Sequence, residues 1–168
     1  MYIIKKIKIA EKKGKEIMTR VLFVCTGNIC RSAMGEYILK DMLDKRGISD
    51  KFYVESAATT TEEIGNPVYP PAKAELAKHG IKCDGHHARQ VTSSDYDNFD
   101  IFIAMEDWHK RTMRDRFFNG DPDNKIVMCM DLAGKPGQIV DDPWYTGRFS
   151  EVYGQLCEAC EGLIEKYS

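Results

Sequence analysis

"VLFVCTGNICRSAM", residues 21–34, runs from an apolar, β-branched stretch through small polar residues into a helical pattern. A chain written this way leaves a buried strand, turns through a short loop and enters a helix. The loop holds two cysteines five positions apart, Cys25 and Cys30, with Arg31 directly after them. That arrangement suits a disulfide staple, part of a metal site, or a reactive thiolate in an anion-binding loop.

The pattern beyond it is an alternation of strands and helices. "RVLFVC" (20–25), "FYVESA" (52–57), "DIFIAM" (100–105) and "KIVMCM" (125–130) read as four short strands. From Ser32 the apolar residues recur at helical spacing (Met34, Ile38, Met42; Leu39, Leu43) until Gly47. "PAKAELAKHG" (71–80) reads as a second, short helix, and 107–118 as a polar helical stretch. Residues 149–167 close the chain with one apolar stripe: Phe149, Val152, Tyr153, Leu156, Cys160, Leu163, Ile164 and Tyr167. Strands joined through helices imply right-handed crossovers and a small four-stranded parallel α/β sheet. Ligands in such folds sit at the carboxyl ends of the strands, which is where the quoted loop lies.

The bulk properties narrow the function. With 168 residues, 43% hydrophobic and 30% charged, the chain reads as one globular domain. Its net charge of −2 is uneven: residues 1–17 hold six lysines and two glutamates, so the remainder carries −6. An acidic body argues against a nucleic-acid partner. No apolar run approaches the roughly 20 residues of a membrane span. Residues 1–17 lack the apolar core of a signal peptide and read as a poorly ordered basic extension, with the domain at 18–168. Six cysteines without an export signal are expected as thiols in a reducing, cytoplasmic setting, which removes the staple.

An anion cradle fits the loop best. Backbone N–H groups at a helix start converge on an anion, and the macrodipole favours negative charge there. Gly27 lets the backbone approach a ligand, and Asn28 tolerates left-handed dihedrals. Arg31 offers a planar fork for two phosphate oxygens. Such a field favours the thiolate of a cysteine placed where the strand ends, which is Cys25. Ser32 either serves that sulfur or caps the helix. The spacing Cys-x5-Arg alone is weak, since about 0.3 such pairs are expected by chance from six cysteines and eight arginines. A second pair, Cys83 and Arg89 in "CDGHHAR", follows a helix stop, holds two bulky histidines and leads into no clean helix. His86 and His87 beside one cysteine do not make a zinc pattern, and Cys157 and Cys160 fall inside the closing helix.

"VCTGNICRSAM" together with "DDPWY" resembles the signature segments of the low-molecular-weight protein tyrosine phosphatase family, and "SAATTTEEIGNP", "HHARQV" and "FDIFIAM" follow related segments in the same order. The resemblance implies a flavodoxin-like domain that uses no metal or cofactor and hydrolyses phosphotyrosine in proteins through a phosphocysteine, acting as a monomer. It assigns Cys25 as nucleophile, Arg31 as phosphate-binding arginine and Asp142 as general acid and base. Thr26, Gly27, Asn28, Ile29, Cys30 and Ser32 become phosphate-binding positions. Two departures stand out: Ala33 replaces a usual proline, and Glu62 stands where many members carry an aromatic wall residue.

The residues around "VDDPWY" fit those roles. An ordinary aspartic acid is protonated about once in a thousand at pH 7, so a carboxyl that protonates a leaving group needs burial or a neighbouring dianion. Pro143 biases its predecessor toward extended backbone, which favours Asp142 over Asp141. Trp144 and Tyr145 either wall a slot for an aromatic ester or anchor the loop on the core. Two other activities occur on this fold. A phosphoarginine phosphatase tends to have threonine where Ile29 stands, and a thiol-linked arsenate reductase needs two further relay cysteines where only Cys83 is found. A non-catalytic phosphate binder would have no need of Asp142. Cys30, on the same curled loop, is the expected redox partner of Cys25.

Overall fold

The computed structural model describes residues 18–168; the expectation for the basic extension 1–17 lies outside them. Strand β1 (Thr19–Cys25) is followed by helix α1 (Arg31–Lys45), a single 3-10 turn (Ser49–Lys51) and strand β2 (Phe52–Ala58). Helix α2 (Pro70–Lys78) and the short α3 (Asp95–Asn98) precede β3 (Ile101–Ala104). Then come α4 (Asp107–Thr112), a π-helical turn (Met113–Phe117), β4 (Ile126–Met128), α5 (Cys129–Leu132), α6 (Pro143–Thr146) and α7 (Phe149–Tyr167).

All four strands are parallel, in the order β2-β1-β3-β4. The central strand explains the arrangement. Every residue from Val21 to Cys25 is buried, as a strand covered on both faces requires. Val21, Phe23 and Cys25 point into a core built with α1, α2 and α7, where Met34, Leu39, Leu76, Leu156 and Leu163 pack. Leu22 and Val24 point into the opposite core with Phe102, Met113 and Phe118. The chain reverses direction across the sheet between β1 and β3, so the crevice at their carboxyl ends is open to a ligand.

Three expectations need correction. The fourth strand ends at Met128, not Met130: its partner β3 stops at Ala104, opposite Met128, so Cys129 and Met130 have no ladder and start α5. The stretch 107–118 is not one regular helix. It widens at Met113, where the Phe118 N–H donates to the Met113 carbonyl at 2.8 Å and brings both side chains into the same core. Helix α3 lies in a segment read as irregular. The closing helix matches its expected span, and Cys160 is buried in its stripe.

Two glycines on α7 make a test of the packing. A methyl group added at Gly154 meets nothing within 4 Å, whereas one at Gly162 would lie 1.7 Å from the Leu132 carbonyl oxygen of α5. Alanine in an exposed helix interior stabilises by about 0.5–1 kcal/mol over glycine. Gly154→Ala is therefore expected to gain about that much, while Gly162→Ala loses about 2 kcal/mol or more through overpacking against backbone. Urea denaturation of the two variants checks the opposite signs.

Candidate active site

Residues 26–30 form a loop, and four carbonyls from Cys25 to Ile29 are held from outside it. The Cys25 carbonyl accepts the Thr59 N–H at 2.9 Å. The Thr26 carbonyl accepts the Thr60 N–H at 3.2 Å and the Thr60 hydroxyl at 2.9 Å. The Asn28 carbonyl accepts from His86 Nε2 at 2.7 Å, and the Ile29 carbonyl accepts the Tyr69 N–H at 2.9 Å. In a planar trans peptide the N–H points opposite to the C=O. Drawing these four carbonyls outward therefore turns the N–H groups of Thr26, Gly27, Ile29 and Cys30 inward, toward one point above the start of α1.

Asn28 makes the curl possible. Its φ of 60° is left-handed, a conformation asparagine adopts more readily than most residues. Its fully buried side chain is a brace, not a ligand group. Nδ2 donates to the Ser32 and Ser56 hydroxyls, each at 2.8 Å, and Oδ1 accepts the Arg89 N–H at 3.2 Å. The Ser56 hydroxyl donates in turn to Glu36 at 2.6 Å. Ser32 lies 3.0 Å from the Cys25 sulfur, while the N-cap position of α1 is Cys30, which makes no side-chain cap bond. Ser32 thus serves the sulfur.

Arg31 is the largest fully buried side chain among the described residues. Nη1 donates to Glu106 at 3.1 Å and to the Val140 carbonyl at 2.9 Å, which fixes the guanidinium plane. Nη2 faces the cradle, 3.4 Å from the Thr26 hydroxyl and 3.5 Å from Asp142 Oδ2. Asp142 divides its two oxygens: Oδ1 accepts the Trp144 N–H at 3.0 Å and caps α6, and Oδ2 faces Arg31. Being a turn residue and facing the cradle are compatible. Asp141 is exposed.

A cavity of about 200 Å3 opens above this floor, lined by Cys25, Arg31 and Asp142 below and by Glu62, Trp144 and Tyr145 at its rim. Thr26, Gly27, Ile29 and Cys30 complete the loop side. Trp144 is half exposed, its ring 4.5 Å from that of Tyr69, and Tyr145 is 85% exposed, so neither anchors the core. Cys30 is 5% exposed; burial, with the Cys25 and Asp142 charges behind it, pushes its thiol well above the ordinary value despite Arg31. The second Cys-x5-Arg pair forms no cradle: Cys83 is buried, and Arg89 is spent on Asp95 at 3.0 Å and Glu55 at 3.2 Å.

Glu63, Glu106 and His109 were not foreseen. Glu63 lines the mouth, its Cγ 3.2 Å from where a Cβ on Gly27 would sit. Glu106 and His109 stand just past β3, the strand beside β1, where the switch-point rule alone would have directed attention. His109 is fully buried, with Nε2 2.9 Å from the Thr26 hydroxyl. Burial, with the Arg31 charge second, pulls its pKa down to about 3.

A cysteine beneath converging amides, with a locked arginine, on a parallel sheet of order 2-1-3-4, defines a flavodoxin-like α/β protein with its candidate site at the switch point. The comparison with known proteins is narrower. Residues 20–168 match the family described as low molecular weight phosphotyrosine protein phosphatase, and the chain belongs to that family. It is 40% identical over 152 residues to the low molecular weight protein-tyrosine-phosphatase YfkJ of Bacillus subtilis, covering 88% of this chain and 94% of the relative. The crystal structure of YfkJ superposes with a TM-score of 0.84 at 37% identity, over 89% of this chain and 94% of the other. The low molecular weight phosphotyrosine protein phosphatase of Gallus gallus is 37% identical over 150 residues, covering 87% of this chain and 94% of the relative. A Drosophila arginine phosphatase shares the fold with a TM-score of 0.79 and 32% identity, over 88% and 97% of the two chains.

The neutral, buried His109 has a consequence for stability. Its pKa is lower folded than unfolded, so below about pH 6.5 the unfolded chain binds a proton that the folded chain refuses, and stability falls with pH. Between pH 7 and pH 5 this costs about 2 kcal/mol. His109→Gln is expected to lose about that much less over the same interval, measured by urea denaturation at both pH values.

Proposed function

We propose that this protein is a protein-tyrosine-phosphatase that hydrolyses phosphotyrosine through a phosphocysteine at Cys25. The observation that carries the reading is the convergence on one small cavity of the Cys25 sulfur, the inward amides of the loop and the locked Arg31 fork, with Asp142 at the rim. The Cys25 thiolate attacks phosphorus and the bond to the phenolic oxygen breaks, with the three equatorial oxygens held by loop amides and Arg31. Asp142 protonates the departing phenolate, then takes a proton from the water that cleaves the S–P bond. The Ser32 hydroxyl, 3.0 Å from the sulfur, stabilises the thiolate when it forms and again when it leaves.

Ile29 and the Trp144 and Tyr145 rings supply apolar walls for a phenyl ring. The carboxylates of Glu62 and Glu63 at the mouth favour a second reading, phosphoarginine, whose guanidinium they would pair. Values of kcat/KM for phosphotyrosine, phosphoarginine and arsenate on one preparation decide among them. Phosphotyrosine is expected to be turned over best; a larger value for phosphoarginine or arsenate overturns the assignment.

The acid has its own test. Asp142→Asn is expected to lose about 10²–10⁴-fold on phosphotyrosine, and much less on p-nitrophenyl phosphate, whose leaving group needs little protonation. Equal losses would make Asp142 a cap alone.

Cys30 supports a reversible oxidation. Peroxide converts the Cys25 thiolate to a sulfenic acid as its O–O bond breaks and hydroxide leaves. The Cys30 thiol then attacks that sulfur and water departs, leaving a disulfide. Both cysteines line one cavity, and all six in the chain are free thiols, as suits a reducing, cytoplasmic compartment. After peroxide and then dithiothreitol, wild type is expected to regain most of its activity and Cys30→Ser little. Equal recovery would leave Cys30 as packing.

A further inference from the structure

Thr26 is placed on the loop by sequence, but its side chain has partners that no loop pattern contains. Its Oγ1 is 3.4 Å from Arg31 Nη2 and 2.9 Å from His109 Nε2, and among the described residues it has no other side-chain or backbone partner. Arginine only donates, so one Thr26 lone pair accepts from Nη2. What the second bond does depends on the tautomer of His109.

The burial of His109 decides that tautomer. Its Nδ1 is buried without a partner. With the proton on Nδ1, the protein would leave an N–H donor orphaned in its interior, which native structures avoid more strictly than an under-used acceptor. With the proton on Nε2, the donor is satisfied on Thr26 and only a lone pair is idle. A doubly protonated ring is excluded by the same burial and by Arg31 nearby, which keep the imidazole neutral through the working pH range. Nε2–H therefore donates to Thr26 Oγ1.

Both lone pairs of that oxygen are then filled, by Arg31 and by His109. A hydroxyl has one proton and two lone pairs. Its remaining proton has no acceptor among the described residues, and Thr26 lines the cavity above Cys25. The Thr26 backbone cannot swing away, because its carbonyl is held by both the N–H and the hydroxyl of Thr60.

We propose that the Thr26 hydroxyl is a further donor to the bound phosphate, presented by His109 acting as a positioning residue. This rests on the cradle being the phosphate site. It adds to the backbone amides a side-chain donor whose direction is set before the ligand arrives, the kind of preorganisation that favours a transferring phosphoryl group. The device lies between two elements. Helix α4 carries the histidine and the loop after β1 carries the threonine, so their contact also ties the β3 side of the crevice to the cradle.

Two measurements test it. The first is the protonated ring nitrogen of His109 in the wild-type protein, read from long-range 1H–15N correlations; a neutral ring with its proton on Nε2 is expected. The second compares Thr26→Val, which keeps the shape and loses the hydroxyl, with Thr26→Ser, which keeps the hydroxyl. Loss of a hydrogen bond to a charged group is expected to weaken inhibition by inorganic phosphate about tenfold to a hundredfold in Thr26→Val. Its kcat/KM for p-nitrophenyl phosphate should fall in parallel, with Thr26→Ser close to wild type. Thr26→Ala takes the place of Thr26→Val if circular dichroism shows that variant unfolded. A proton on Nδ1, unchanged phosphate inhibition in Thr26→Val, or no rescue in Thr26→Ser overturns the proposal. Wild type that neither binds phosphate nor turns over p-nitrophenyl phosphate would instead overturn the reading beneath it.

Discussion

The outward pull on four carbonyls, those of Cys25, Thr26, Asn28 and Ile29, is the constraint on which the site rests. A loop of five residues has no shape of its own; it curls because Thr59, Thr60, His86 and Tyr69 each take a carbonyl from outside, and because Asn28 accepts a left-handed backbone at its centre. Those four partners come from the end of β2, the loop beyond it and the stretch before β3. The fold is the machinery that brings these segments around one turn. The sheet order puts β2 and β3 on either side of β1: the chain leaving β2 supplies all four partners, and the chain leaving β3 brings His109 to the Thr26 hydroxyl. Each bond is worth only about 0.5–1.5 kcal/mol net, but together they leave the amides one direction to face.

The charge arrangement follows from the same packing. A fully buried guanidinium is costly unless its donors are matched, and Glu106 with the Val140 carbonyl matches one end of Arg31. The other end is left toward the cavity. The basin therefore presents hydrogen-bond donors and a positive charge on the side that faces the cavity. Next to it stands an imidazole that burial and the arginine keep neutral, so the local positive charge stays at Arg31 and does not spread with falling pH.

The fold was legible because β1 is a short apolar, β-branched run that ends where small residues begin, because α1 carries a helical period, and because the loop between them combines small residues, a left-handed-tolerant asparagine and an arginine in fixed order. Cys25, Arg31 and Asp142, which the structure gathers at one cavity, stood out as candidates because each sits next to a local signal, a strand end, a helix start or a proline. His109 and Glu106 had no such signal. They reach the site only because β3 lies beside β1, a tertiary fact that residue spacing does not contain. Strand β4 was overread because "KIVMCM" stays β-prone past the point where its partner ends, and strand length is set by the neighbour rather than by propensity. The role of Asn28 was half read: its backbone freedom was visible in the residue type, while its service as a brace to Ser32, Ser56 and Arg89 depends on segments far away in sequence.

The shared carboxylate of Asp142 has a consequence for how this surface can change. Because one oxygen caps α6 and the other faces Arg31, the carboxyl group proposed as proton donor and the two aromatic residues of the next turn form a single lever. A substitution at Trp144 or Tyr145 that tilts the short helix also tilts the Asp142 carboxylate. With the roles proposed for these residues, selectivity for the ring and tolerance of poor leaving groups are inherited together, and a descendant that altered one by reshaping this turn would have to retune the other.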